Sequence, residues 1–132
     1  QQVYEILSLR MKVFCVEQEC PYQDADGEDY QAQHVFIEDH NKTVAYARIL
    51  TSQKGQCYIG RVVVDAEYRS QSLAKAIMKY SIKFCQTHYP NAKIIISAQS
   101  YLKNFYQSLG FKSLNQYYLE DDIPHEKMQY LG

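Results

Sequence analysis

Long apolar runs are missing from this chain: nothing in it approaches the roughly 18 consecutive apolar residues that a membrane-spanning helix requires. It has no charged-then-apolar leader either, so no signal for export is present and a cytoplasmic location is the expectation. Residue 1 is Gln rather than Met, so a short N-terminal piece is expected to precede it. A surplus of positive charge is also absent. With 14 Lys and Arg against 15 Asp and Glu, the formal charge is −1, which argues against nucleic acid as the main partner, because phosphate binding needs a concentrated basic surface. Cysteine is sparse and unpatterned: Cys15, Cys20, Cys57 and Cys85 form no Cys-x-x-Cys pair and no zinc spacing, and His34, His40, His88 and His125 are equally scattered. Reduced thiols and no metal are therefore expected. The three prolines and five glycines gather into no linker, and no repeat or low-complexity stretch divides the 132 residues. The chain reads as one domain over residues 1–132, long enough for one core and working as a monomer or homodimer.

What is there is periodicity. From Gln1 to Phe14, Val3, Ile6, Leu7, Arg10, Val13 and Phe14 recur at helical spacing and predict an amphipathic helix. An irregular acidic stretch follows, Glu17 to Gln33. His34 to Glu38 alternates as a strand, Asp39-His40-Asn41-Lys42 is turn chemistry, and Thr43 to Leu50 returns as the second arm of a hairpin. Cys57 to Asp65 is a third strand, rich in Ile and Val. A helix is expected from Ser72 to about His88, with Leu73, Ala74, Ile77, Met78, Ser81, Phe84 and Cys85 buried and Lys75, Lys79 and Lys83 as a solvated outer stripe. Lys93 to Ser97 is a short apolar strand of the buried kind. Ser100 is placed to cap a second helix carrying Leu102, Phe105, Tyr106 and Leu109, with Gly110 as its terminator. Strands around Phe111 to Leu114 and Glu126 to Leu131 complete an α/β chain with a mixed sheet and helices on its faces.

The first unit that carries chemistry is the strand Tyr58 to Val64 and the segment Asp65-Ala66-Glu67-Tyr68, followed by Arg69-Ser70-Gln71-Ser72-Leu73-Ala74 opening a helix. A strand, a turn of small residues and a helix N-terminus present unpaired amides and a positive dipole end, which together suit an anion. No Walker sequence and no Gly-x-Gly-x-x-Gly is present, and taken alone the unit also fits an ordinary strand-to-helix turn.

Arg69-x-x-Ser72-x-Ala74 resembles the Arg/Gln-x-x-Gly-x-Gly/Ala pyrophosphate loop of the GCN5-related N-acetyltransferase (GNAT) superfamily. Further on, Asn104-Phe105-Tyr106-Gln107-Ser108-Leu109-Gly110-Phe111 resembles that superfamily's second signature, a helix ending in Tyr-x-x-Leu-Gly-Phe. Leu9-Arg10, Val13-Phe14, Val16-Glu17-Gln18, Cys20-Pro21-Tyr22-Gln23-Asp24, Ala45 to Leu50 and Ile123-Pro124-His125 narrow the resemblance to the ElaA-like subfamily, over essentially the whole chain. Ser72 departs from the pattern by standing where glycine is usual, which adds a Cβ where backbone would approach pyrophosphate.

The resemblance implies a GNAT fold with a central, mostly antiparallel sheet and helices on both faces. It implies acetyl-CoA as the acetyl donor, without metal. The backbone of Val62, Val63 and Val64 would pair with the pantetheine arm as another strand does. Arg69 and the amides of Ser70, Gln71, Ser72, Leu73, Ala74 and Lys75 would hold the pyrophosphate. Asn104 would bond the arm from the far side, and Tyr106 would protonate the departing thiolate; core packing is the alternative for Tyr106, which lies on the apolar stripe of its helix. Glu17 and His34 are candidates for the base that takes a proton from the attacking amine, and either can instead be structural. His125 is placed to line the acceptor site. The resemblance implies a small-molecule or peptide amine as acceptor, and Glu17, Glu19, Asp24, Asp26, Glu28 and Asp29 favour a cationic one if they face it rather than solvent. Asp24-Ala25-Asp26-Gly27 fails as a calcium loop, because glycine comes two positions early and the closing Glu is absent. Arg48 and Arg61 fall on neighbouring strands, as partners of an acid or of a substrate carboxylate. The rival reading is a catalytically silent acyl-CoA sensor on the same fold.

Overall fold

A computed structural model of the protein describes residues 2–13, 32–52 and 54–132, the side chains of Ser70 and Gln71 excepted. The candidate base Glu17, the acids that follow it up to Asp29, Phe14, Cys15 and Cys20 lie outside the described residues. In chain order the elements are α1 (Gln2–Arg10), β1 (Gln33–Asp39), β2 (Lys42–Ser52) and β3 (Gln56–Val64), then a 3-10 turn (Ala66–Gln71) leading to α2 (Leu73–His88). β4 (Lys93–Gln99), a second 3-10 turn (Ser100–Leu102), α3 (Lys103–Ser108), β5 (Phe111–Glu120) and β6 (Ile123–Tyr130) follow. The strands form one sheet in the order β1-β2-β3-β4-β6-β5. Among the described residues only β3 and β4 pair in parallel; the other neighbours are antiparallel.

Successive strand residues face opposite sides of a sheet, and the core divides accordingly. On one side Ala47, Ile49, Cys57, Ile59, Ile94, Ile96, Ala98 and Met128 pack with Ile77, Met78, Ile82 and Cys85 of α2 and with Tyr106 of α3. On the other side Tyr46 and Val63 pack with Ile6, Leu9 and Val13 at α1. Helices therefore cover both faces, α2 and α3 on one and α1 on the other.

Several boundaries differ from the sequence reading. The buried stripe at the N-terminus is Ile6, Leu9, Arg10 and Val13, whereas Val3 is 70% exposed; the helical stripe is registered on Ile6 rather than on Val3. Ser100 begins a 3-10 turn instead of capping α3, whose preceding residue Leu102 makes no side-chain cap bond. β5 runs on to Glu120, past the expected end at Leu114, because its register against β6 shifts between Ser113 and Tyr117, where Asn115 takes φ 59. That bulge sets three residues, Leu114 to Gln116, opposite Lys127 and interrupts the local pattern of the strand. Ile123-Pro124-His125 belongs to β6, which begins ahead of the expected start at Glu126. The turn is Asp121-Asp122, both at positive φ, a two-residue hairpin connection that Asp tolerates. Pro124 is tolerated because β4 pairs with β6 no further than Gln99 opposite His125, so no ladder bond is asked of it on that side. The same turn geometry recurs at His40 and Asn41, with φ 51 and 63, as the Asp39-to-Lys42 sequence predicts.

Candidate active site

β3 and β4 are joined only from Gln56 opposite Lys93 to Tyr58 opposite Ile95. Beyond that point β3 stays with β2 as far as Val64 opposite Ala45, and β4 stays with β6 as far as Gln99 opposite His125. The sheet therefore opens as a V, and among the described residues Ile59–Val64 on one arm and Ile96–Gln99 on the other have no strand partner across it. The cause is local. Tyr46 lies opposite Val63 and Arg48 opposite Gly60, which puts one extra residue into β3, and Arg61 there takes φ 51. Such a bulge bends a strand, and for a residue other than glycine the left-handed conformation costs about 1 kcal/mol. The exposed amides and carbonyls of an open strand edge are what an extended, amide-bearing ligand can pair with.

At the wide end of the V stands the turn that the sequence marks as an anion site. The carboxylate of Asp65 accepts from the Glu67 amide at 3.1 Å and so starts the 3-10 segment. Ser72 then takes φ 59 and ψ 26, and α2 begins with the Ala76 amide bonded to the Ser72 carbonyl at 3.1 Å. Leu73, Ala74 and Lys75 are thus the first helical residues, whose amides have no carbonyl inside the helix to bind, and the Ser72 side chain makes no cap bond. The left-handed backbone supplies a second reason to expect glycine at position 72, besides room for phosphate. Arg69 turns back: its Nε donates to the Val64 carbonyl at 3.1 Å, tying the turn to the end of β3. Lys75, Lys79 and Lys83 are exposed.

The second signature follows β4 directly. Tyr106 is 8% exposed and meets Phe105 and Phe111 edge-on, with ring centroids 5.1 and 6.0 Å away. Val62, on the opposite arm of the V, packs against the same buried cluster. Burial first, and the neighbouring Tyr101 second, push the Tyr106 phenol up to about 12. Asn104 lies on α3 and is exposed.

His34 stands elsewhere. It lies on β1 opposite Arg48, and its Nδ1 is 2.5 Å from the Tyr46 hydroxyl, the two rings stacked 5.7 Å apart. At about 4.8 Å per strand, two spacings separate it from β3, so it does not border the V. Tyr46, 0% exposed, carries Arg10 above its ring at 5.5 Å. Arg48 and Arg61 do sit on adjacent strands, Arg48 buried and opposite Gly60. His125 is buried beside Gln99 on the face away from α2 and α3. Its Nδ1 donates to the Ile123 carbonyl at 2.7 Å, its Nε2 is 3.4 Å from Glu120 Oε2, and its ring stacks on Tyr118, whose hydroxyl bonds Ser97 Oγ.

One residue that the motif reading passes over is Asp65. It is 0% exposed and receives Lys42 Nζ at 3.2 Å and Lys12 Nζ at 3.5 Å on Oδ2. Burial pushes its carboxyl up, but the Glu67 amide and the Lys42 and Lys12 ammoniums outweigh that and leave it below the usual carboxylate range. Its position just before a helical turn, with Glu67 two residues on, was the available signal for a cap. The lysines come from distant sequence and left none.

The model of the acetyltransferase (GNAT) domain matches residues 6–131. The chain belongs to the GNAT family. Within it, the chain falls in the ElaA-like group: it is 41% identical to Protein ElaA of Escherichia coli over 128 residues, 94% of this chain and 84% of that protein. The E. coli ElaA crystal structure superposes with a TM-score of 0.92, covering 98% of this GNAT chain and 90% of the other. An acyl-CoA N-acyltransferase from Pseudomonas aeruginosa is 36% identical with a TM-score of 0.91, covering 98% and 89%. At 14% identity the likeness is one of GNAT fold alone: an aminoglycoside 6'-N-acetyltransferase complexed with coenzyme A, TM-score 0.73, covers 96% of this chain and 88% of that one. Among the described residues no helix is long and apolar enough to cross a membrane, and no group of three or more His, Cys, Asp or Glu could hold a metal ion.

Proposed function

We propose that this GNAT protein transfers the acetyl group of acetyl-CoA to a primary amine. The observation that carries the reading is the V between β3 and β4, with a helix-opening turn that presents amides at the end of one arm and Tyr106 behind the other. The pantetheine arm lies along Val62 and Val63, while the amides of Leu73, Ala74 and Lys75 meet the pyrophosphate. Asn104, exposed on α3, reaches the arm from the far side.

The amine nitrogen attacks the thioester carbonyl, giving a tetrahedral oxyanion that strand amides stabilise. The C–S bond then breaks, the carbonyl re-forms, and the sulfur takes its proton from the Tyr106 hydroxyl. A phenol near 12 stays protonated at neutral pH, but it is a weak donor to a thiolate of ordinary basicity, about 8.5. The burial that raises the phenol acts in the same direction on a sulfur expelled beside it, because removal from water disfavours a thiolate as it does a phenolate. The amine proton goes to a base, for which Glu17 is proposed, since His34 is bonded to Tyr46 away from the V. The acids between Glu17 and Asp29 favour a cationic acceptor.

Incubating the protein with acetyl-CoA and a panel of primary amines, with CoA thiol release and acetylated product both quantified, tests this reading. Stoichiometric release of the two supports it. Saturable CoA binding without release for any amine would instead identify an acyl-CoA sensor.

A further inference from the structure

The turn between β1 and β2 touches the phosphate segment twice. Asp39 and Lys42 are the pair that closes this two-residue turn. Asp39 Oδ2 accepts a hydrogen bond from the Tyr68 hydroxyl at 2.7 Å, and Lys42 Nζ lies 3.2 Å from Asp65 Oδ2. One tight turn thus places an acceptor and a donor against the two ends of Asp65-Ala66-Glu67-Tyr68. The segment has further ties of its own: the Asp65 amide donates to the Val44 carbonyl at 2.8 Å, and the Tyr68 amide donates to the Asp65 carbonyl at 2.8 Å. Lys12, at the end of the N-terminal helical segment, reaches the same Asp65 oxygen at 3.5 Å.

The arrangement is unequal in its exposure. Asp65 is 0% exposed, while Lys42 and Lys12 have side chains about half in water. A fully buried carboxylate is costly unless its oxygens are satisfied, so the segment has a strong reason to stay where the Glu67 amide and Lys42 meet it. The alternative conformations open to a six-residue 3-10 run, a secondary structure with poor hydrogen-bond geometry, are thereby reduced. Downstream of this segment come the left-handed Ser72 and the first amides of α2. A clamp that fixes Asp65 and Tyr68 therefore fixes the direction from which those amides point.

We infer that Asp39 and Lys42 are positioning residues for donor recognition: from the β1–β2 turn, through Tyr68 and Asp65, they hold the turn before α2 in the shape that receives the pyrophosphate of the acyl donor. They touch no substrate. The inference rests on the proposed acetyl-CoA site and adds the element that shapes it. It makes a distinctive demand, because the clamp serves only the phosphate end of the donor. The thioester, the Val62–Val63 edge and Tyr106 lie on other elements.

The test compares two donors, acetyl-CoA and S-acetylpantetheine, which has the same thioester and arm without the pyrophosphate. Tyr68→Phe removes one oxygen at a half-buried position, and Lys42→Met removes the charge while keeping the length of the side chain. Each is expected to raise the KM for acetyl-CoA about fivefold, the scale of one lost hydrogen bond, with kcat within twofold and the KM for S-acetylpantetheine unchanged. The double variant should lose more than either single one, and Lys42→Arg should restore the acetyl-CoA KM. Equal effects on both donors would show that the clamp supports the fold in general, and no effect on either would show that the turn holds its shape unaided. Each result overturns the inference. Failure of the unaltered protein to bind CoA would overturn the proposed function and the inference together, whereas normal binding with unaffected variants removes the inference alone.

Discussion

Nε of Arg69 donates to the carbonyl oxygen of Val64 across 3.1 Å, so the residue that heads the pyrophosphate signature is bonded to the last residue of the strand lining the V. The strand edge proposed for the pantetheine arm and the turn proposed for the phosphates are therefore fixed relative to one another. The next residues test where the phosphates sit. Ala74→Glu introduces a carboxylate at the second residue of α2, where the proposed site presents amides to an anion. CoA binding by titration calorimetry should weaken at least about tenfold, since the carboxylate neutralises the positive end of the helix and repels the phosphates. Wild-type affinity would move the site away from α2.

Ser72→Gly should go the other way. Glycine relieves a left-handed serine, worth about 1 kcal/mol, and loses about as much by loosening the unfolded chain. Melting temperature should therefore change little. CoA affinity should be equal or tighter, because a Cβ is removed where backbone meets phosphate. Weaker binding would assign the Ser72 hydroxyl a direct contact with the ligand.

Gly110 is the opposite case. It takes φ 108, and a Cβ there would lie 2.9 Å from Tyr130 Cε1 and 3.0 Å from the Gly132 carbonyl carbon. Gly110→Ala combines backbone strain with a clash, so a loss of about 2 kcal/mol is expected in denaturant unfolding. A loss under about 0.5 kcal/mol would mean that the C-terminal strand gives way easily.

How much was legible in the sequence follows from what each signal depends on. The α2 stripe was readable because Ile77, Met78, Ser81 and Cys85 repeat with the helix, and all four are buried. The hairpin at His40-Asn41 was readable because its residue types suit positive φ. The second half of β5 was hidden, since Leu114, Asn115 and Gln116 stand opposite the single residue Lys127, and the pattern of the strand is interrupted there. The V itself was implied only by resemblance. Its physical cause, one extra residue at Arg61, depends on the register of β3 against β2, which no local pattern announces. The Asp65 clamp was invisible for the same reason. Lys12, Lys42 and Asp65 become neighbours only when α1, the hairpin and β3 are assembled.

The buried thiols give a chemical check on the core. Cys57 and Cys85 are both free and 0% exposed, and burial, with Cys57 beside it, pushes Cys85 up to about 12. At pH 8 its thiolate fraction is small, so alkylation of the folded protein at Cys85, followed by peptide mass spectrometry, should be at least about a hundredfold slower than at an exposed cysteine. Rapid labelling at Cys85 before unfolding would show that α2 opens readily.

Alkaline pH should expose Tyr106. Its folded value of about 12 lies above the ordinary value near 10, so the folded state holds this proton more tightly than the unfolded chain does. Its contribution is complete below about pH 10 and is lost as pH rises from 10 through 12, on the order of 2–3 kcal/mol in all. Urea unfolding between pH 9 and 11.5 should show stability falling with pH, and Tyr106→Phe should flatten that fall. Parallel slopes in the two proteins would contradict the burial of this phenol.

The most direct test of acetyl transfer at the V is the kcat of Tyr106→Phe, measured by CoA thiol release with a reactive amine under conditions where chemistry limits the rate. The change removes one oxygen from a side chain packed between Phe105 and Phe111 and leaves that packing in place. If Tyr106 protonates the departing sulfur, kcat should fall about a hundredfold or more, with CoA affinity and neutral-pH melting temperature held near wild type. A Phe variant that turns over at close to the wild-type rate would contradict the account and leave Tyr106 as a core residue alone.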